Sequence, residues 1–274
     1  MEFNKTDLTV SSYKRVYESN LEQSVDTDFT LPDYYPEVVK ILKVIPEINI
    51  MSSQCTANGV GIGGQVTLTL LYYGSDDKIN SFTHIYPFTK SQDAQVPENG
   101  CVSVQPFVGY MNSKAIAPRK VEVHGSLALS VSVDSVENKS ILSSTDCDGI
   151  YLKTAEKPFL NFFDALSKSV FIEDEIQISQ NSPAIEKIIR NCATANITEC
   201  KYISGKAVVK GDVKIEILYC AAQSIKPILI TEVKGFSQIF DCPIECENLK
   251  FEPSVRVESF EIHPKTGLDG DVET

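Results

Sequence analysis

The sequence predicts a mainly β protein: two tandem, related β-sandwich or barrel-like domains, each opened by a short helix. The first observation is an internal repeat. Pro36 to Tyr73, PEVVKILKVIPEINIMSSQCTANGVGIGGQVTLTLLYY, lines up without a gap 147 residues later with Pro183 to Cys220, PAIEKIIRNCATANITECKYISGKAVVKGDVKIEILYC. Lys40/Lys187, Ile41/Ile188, Asn49/Asn196, Ile50/Ile197, Gly64/Gly211, Val66/Val213, Leu71/Leu218 and Tyr72/Tyr219 are identical pairs. A period this long gives each copy enough chain to bury a core of its own, unlike a solenoid repeat. The second observation is alternation of polar and apolar residues over Gln65–Tyr72 and Asp212–Tyr219, the period of a half-buried antiparallel strand. The third is punctuation: turn-rich segments such as YGSDDK and VPENG separate most of the strand-like runs.

Taken in order, residues 1–29 are polar, carry one short alternating segment, Leu8 to Val16, and read as an N-terminal arm. Residues 30–138 form the first β-domain. Asp33 offers a cap and Pro36 a first helical position, with Val38, Val39, Ile41 and Leu42 as the apolar face of a short helix. In the second copy Asn181 or Ser182 caps before Pro183, and Ile185, Ile188 and Ile189 supply the same face. Gly64 and Gly211 mark matching strand positions where a bulge or a close backbone approach excludes a side chain. Further strands are expected at Ile85–Phe88, Val102–Val108, Val121–Val133, Ile228–Val233 and Phe251–Ile262. Residues 139–180 read as a connector with a short helix, whose Phe159, Phe162, Phe163 and Leu166 form an apolar docking face. Residues 181–274 form the second β-domain, rich in cysteine and apparently incomplete. The first copy closes with the alternating strand APRKVEVHGSLALSVSV, and the second stops at PKTGLDGDVET where that strand should begin. Either the chain is part of a longer protein, or the second domain has an open strand position that invites a strand from another chain, Leu8–Val16 being one donor.

Composition narrows the function. With 37 acidic against 25 basic residues the net charge is −12, and Lys and Arg are scattered. Nothing here neutralises a run of phosphates, so nucleic acid is not an expected partner. No run reaches about 18 apolar residues and the first residues hold no apolar signal core, so synthesis in the cytosol and no membrane span are expected. Eight cysteines, at 55, 101, 147, 192, 200, 220, 242 and 246, then start as reduced thiols. Cys242 and Cys246 with Cys192 and Cys200 make a weak metal reading, because zinc sites favour tighter C-x-x-C pairs. Cys220, at the end of an apolar strand, reads as a buried structural thiol. Cross-linking after assembly on an oxidised surface is the third reading, with Cys55, Cys101, Cys147, Cys192, Cys200, Cys242 and Cys246 as candidates.

No catalytic constellation emerges. His84, His124 and His263 each lie in or beside a strand pattern and none pairs with a nucleophile turn. GVGIGG at 59–64 precedes a strand and lacks a Lys-Ser/Thr ending, so its glycines read as turn residues rather than a phosphate cradle. With no Trp, an aromatic platform for glycans is not expected either. No enzyme activity, cofactor or metal is expected.

LPDYYPEVVKIL, then GGQVTLTLLYY, then IYPF, then APRKVEVHGSLALSVSV resembles the SipL/SPOCS-domain family of spore-forming Firmicutes. The matching positions are Pro32, Asp33, Pro36, Ile41, Leu42, Gly64, Val66, Leu71, Tyr72, Pro87, Phe88, Arg119 and Lys120. The resemblance covers residues 30–135; the second copy keeps Pro183, Ile188, Gly211, Val213, Leu218 and Tyr219 and loses the Pro-Asp and Arg-Lys features. It implies a non-enzymatic structural or morphogenetic protein of the spore coat or exosporium, made in the mother-cell cytoplasm and deposited on the spore surface. The implied partners are the protein itself, as an oligomer or two-dimensional lattice, and other coat or exosporium proteins. Two readings stay open: a self-assembling, cysteine-rich lattice protein, or a SipL-like adaptor whose C-terminal LysM module lies outside these residues.

Overall fold

The computed structural model describes residues 5–145, 151, 153, 155, 165–178, 182–221, 226–243, 249–263, 265–266 and 272–273. These are mainly β, and among the described residues there is no helix. The strands are β1 (Lys5–Thr30), β2 (Val38–Thr56), β3 (Gly59–Gly74), β4 (Ile79–Asp93), β5 (Cys101–Ala117), β6 (Lys120–Thr145), β7 (Ile185–Ile203), β8 (Lys206–Ala221) and β9 (Ile228–Asp241), with a two-residue pair β10 (Lys265–Thr266) and β11 (Val272–Glu273). They make three antiparallel three-stranded sheets, ordered β2-β3-β4, β1-β6-β5 and β7-β8-β9.

The first two sheets share one core. Even-numbered residues of β3 (Val60, Ile62, Val66, Leu68, Leu70, Tyr72) and odd-numbered residues of β6 (Val121, Val123, Leu127, Leu129, Val131, Val133) are all buried in one apolar cluster. The period of two in the sequence is therefore the in-out alternation of central strands, and each buried aliphatic contributes about 1.5–3 kcal/mol. From β1 the cluster takes Leu21, Val25 and Phe29. Phe29 stacks on Phe82 and His84 of β4, at 5.6 and 4.7 Å between ring centroids. At the opposite side Ser53 Oγ of β2 donates to Val102 O of β5 at 3.4 Å. So β4 lies over β1, β3 over β6 and β2 over β5.

The expected opening helices are strands. Val38 to Leu42 lie in β2 and Ile185 to Ile189 in β7. Register shifts fall between Val38 and Lys40 and between Ile41 and Lys43, and the same two recur between Ile185 and Lys187 and between Ile188 and Arg190. Each bulge inserts one residue, so the inward positions become Val38, Ile41 and Val44, three apart instead of two. That spacing imitates a helical face, while Val39 and Leu42 are the exposed extra residues.

Residues 5–30, read as an arm, form one 26-residue strand that pairs with β6 along its whole length, Leu8 facing Ile141 and Thr30 facing Lys120. Leu8–Val16 is thus part of the first sheet pair and not a spare strand. The glycines of GVGIGG lie within β3 rather than in a turn. The connector aromatics Phe159, Phe162 and Phe163 lie outside the described residues. Residues 165–178 carry no regular element, and Leu166 is exposed. The strand expected at Phe251–Ile262 joins no sheet.

In the second copy β7-β8-β9 repeats β2-β3-β4 in detail. Ile188 faces Tyr219 as Ile41 faces Tyr72, and a third shift at Ile197/Glu199 matches that at Ile50/Ser52. Gly64 faces Phe88 and Gly211 faces Phe236, so in each copy an aromatic ring lies across the missing side chain. Tyr72 and Tyr219 are fully buried, and their hydroxyls donate to Pro36 O at 3.1 Å and Pro183 O at 3.2 Å. Burial pushes the Tyr72 hydroxyl up to about 12, holding it as the donor.

Candidate functional site: sheet edges and thiols

Cysteine placement follows the strand order. Cys55 lies on β2, Cys101 on β5, and Cys192 and Cys200 on β7, and each of these is the outer strand of its sheet. All six described cysteines are free thiols. Cys101 is exposed, Cys55, Cys192 and Cys200 are half-buried, and Cys220 and Cys242 are buried. Cys147 and Cys246 lie outside the described residues. Cys220 has the core position expected of it, at the C-terminal end of β8.

Burial is the main cause that raises Cys55, Cys200 and Cys220 above the ordinary thiol range. A raised thiol holds little thiolate at neutral pH and oxidises slowly. Cys55 Sγ donates to Gly100 O at 3.4 Å, next to Cys101 in the chain. Tyr13 on β1 bonds Cys101, and its hydroxyl is pushed up to about 12, first by burial and then by that bond. Cys101 is thus the most accessible described thiol, set where β5 begins.

The histidines serve packing and charge pairing. His84 lies against Phe29 and shares a 3.3 Å hydrogen bond with Thr27; burial lowers its proton affinity. His124 sits on the exposed face of β6, 2.8 Å from Asp26 and 3.2 Å from Glu122, and these hydrogen bonds raise its pKa. His263 is exposed near Glu261. Among the described residues no three metal-ligating side chains cluster, and no helix is long and apolar enough to cross a membrane.

The two copies touch through polar groups at the start of β7. Lys78 reaches Glu186 at 2.6 Å, Lys187 donates to Asn80 Oδ1 at 3.1 Å and lies 5.5 Å from the Tyr35 ring centre, and Arg190 reaches Glu47 at 3.3 Å. Asn49 Nδ2 donates to Glu258 O at 3.5 Å.

A register-identical sheet in each copy, with the same bulges and the same buried tyrosine tied to a proline carbonyl, defines a duplicated β unit. Residues 184–265 match the family model described as SipL, SPOCS domain. The match supports assigning the second copy to the SipL/SPOCS-domain family, the copy that keeps fewer of the positions carrying the resemblance. Such a domain points to a role connected with the spore coat in sporulation. No curated protein and no solved structure matches the chain.

Proposed function

We propose that this is a non-enzymatic structural protein of the endospore outer layers, coat or exosporium, that self-assembles through its β-domain edges and cysteine cross-links. The observation that carries the reading is the position of Cys55, Cys101, Cys192 and Cys200 on outer strands, each with a ladder partner on one side only. Thiols reduced in the mother-cell cytoplasm become intersubunit disulfides once the layer faces an oxidising exterior. The partners are further copies of the chain and other coat or exosporium proteins; neither nucleic acid nor a membrane is one. Electron microscopy and sedimentation of the purified chain, with and without reductant, test this. Sheets or large oligomers that reductant loosens are expected, and a protein that stays monomeric at high concentration in both conditions refutes it.

The family match favours a second reading, a SipL-like morphogenetic adaptor that recruits coat proteins through a C-terminal module outside these 274 residues. A gene that continues into a LysM-encoding segment would support it over the first.

A further inference from the structure

Strands β2 and β5 close the first copy along one side. Val38 N donates to Pro118 O at 2.7 Å, Ser53 Oγ to Val102 O at 3.4 Å and Cys55 Sγ to Gly100 O at 3.4 Å. Residue numbers rise along one strand as they fall along the other, so the two run antiparallel and Cys55 comes level with the start of β5, which is Cys101. Gly100 leaves room for the sulfur: a Cβ there would lie 3.1 Å from Cys55 Sγ. A trans peptide sets the oxygen of one residue about 2.8 Å from the Cα of the next, so Cys55 Sγ lies no more than roughly 6 Å from Cys101 Cα. Rotation of the Cys101 side chain with a shift of at most a few ångströms brings the two sulfurs to bonding distance.

That shift is cheap on the β5 side. Cys101 is the first residue of its strand, and residues 94–100 before it belong to no strand, so little ladder pairing is given up. The two thiols also differ in the way that ordered oxidation requires. Cys101 is exposed and bonded by Tyr13, whereas Cys55 is half-buried. Burial raises the Cys55 thiol, and the charge of a Cys101 thiolate adds to the rise, so each sulfur lies within the other's field. An exposed thiol reacts first with an oxidant, and a shielded neighbour then resolves the product. In the second copy Tyr202 takes the place of Cys55, 147 residues on, and stacks on Phe251 at 6.3 Å. The same end of the second copy is thus closed by two rings, and that of the first by two thiols with no bond between them.

We propose that Cys55 and Cys101 form an intrachain disulfide on oxidation by a peroxide, tying β2 to β5 within the first copy. The Cys101 thiolate attacks a peroxide oxygen, the O–O bond breaks, hydroxide leaves and a sulfenic acid remains. The Cys55 thiolate then attacks that sulfur, an S–S bond forms, the S–O bond breaks and a second hydroxide leaves. The hydroxides take up the two thiol protons. Two thiols and one hydrogen peroxide thus give one disulfide and two waters, the sulfurs together losing the two electrons that the peroxide gains. A partner held in the same domain outcompetes one that must diffuse from another chain. Of the four outer-strand thiols, Cys192 and Cys200 are then left for neighbouring chains, which narrows the cross-linking proposed above without resting on it.

The full chain, diluted until monomeric, is treated with hydrogen peroxide, alkylated and digested without reductant. The expected product is a pair of peptides joined through Cys55 and Cys101 in the monomer fraction and separated by reductant. Cys55→Ser leaves the sulfenic acid on Cys101 unresolved, so its labelling by dimedone should rise about tenfold or more over the native chain. Two results would overturn the proposal: Cys101 recovered unlinked or joined to any cysteine other than Cys55 of its own chain, or equal dimedone labelling of Cys101 in the native chain and in Cys55→Ser. Cys101 joined to a second chain would do so while leaving intersubunit cross-linking intact. A Cys55–Cys101 bond in a chain that never assembles would support the proposal and refute only the lattice.

Discussion

Replacing Gly211 by alanine gives a test whose sign separates two physical effects. In an extended strand, alanine restricts the unfolded chain more than glycine does, which by itself stabilises by about 0.5–1 kcal/mol. At Gly211 an added Cβ meets the Phe236 ring at 2.5 Å and the Asn196 carbonyl oxygen closer still. At Gly64 the same atoms of Phe88 and Asn49 lie at 2.7 and 2.8 Å. Such overpacking costs about 1–3 kcal/mol. The clash wins, for a net loss of roughly 1–2 kcal/mol, larger at Gly211 because the backbone oxygen there is nearer and yields less than a ring. In a domain of 60–100 residues that lowers Tm by roughly 5–15 °C. Calorimetry and urea unfolding of Gly64→Ala and Gly211→Ala measure it, and Phe236→Leu in the Gly211→Ala background should restore part of the loss. A neutral or stabilising Gly211→Ala would refute the close-approach account of both glycines.

Removing one hydroxyl in Tyr72→Phe or Tyr219→Phe leaves Pro36 O or Pro183 O without its donor. Each should cost about 1–3 kcal/mol in urea unfolding, and a neutral result at both would rule out the shared anchor. The two strand histidines should titrate with opposite sign. His84, lowered by burial from the ordinary 6.5, contributes stability that is present above that pH and lost below it, so His84→Gln should flatten the acid side of the stability profile. His124, raised by its bonds to Asp26 and Glu122, contributes below 6.5 and loses that contribution as pH rises through its folded value. Its NMR titration midpoint should lie above 6.5 and fall in Asp26→Asn. Alkylation under native conditions should label Cys101 first, Cys55 and Cys200 more slowly, and Cys220 and Cys242 only after unfolding. Equal rates at these five would contradict their placement.

Strands β3 and β8 were legible because both faces of their alternation are clean, and the repeat was legible because it is ungapped. The helix at the opening of each copy was misread for a physical reason: two bulges in succession space Val38, Ile41 and Val44 by three, and no sequence period distinguishes that from a helical stripe. Strand β1 was missed because its inward row reads Tyr17, Ser19, Leu21, Gln23, Val25, Thr27, Phe29. Polar residues at every other inward position turn a period of two into a period of four. The edge positions of the cysteines depend on strand order, which pairing between distant segments decides.

The pairing of β1 with β6 sets an order of events during synthesis. Thr30 faces Lys120 and Lys5 faces Thr145, so β1 leaves the ribosome and waits at least 90 residues for its partner. At about 5–20 residues per second the wait is roughly 5–20 s. Throughout it the row Leu21, Val25, Phe29 has no ladder neighbour from its own chain. On a polysome, where nascent copies are crowded, a β6 just completed on one ribosome can be captured by the waiting β1 of the next, which makes strand-exchanged dimers the characteristic misassembly of this topology.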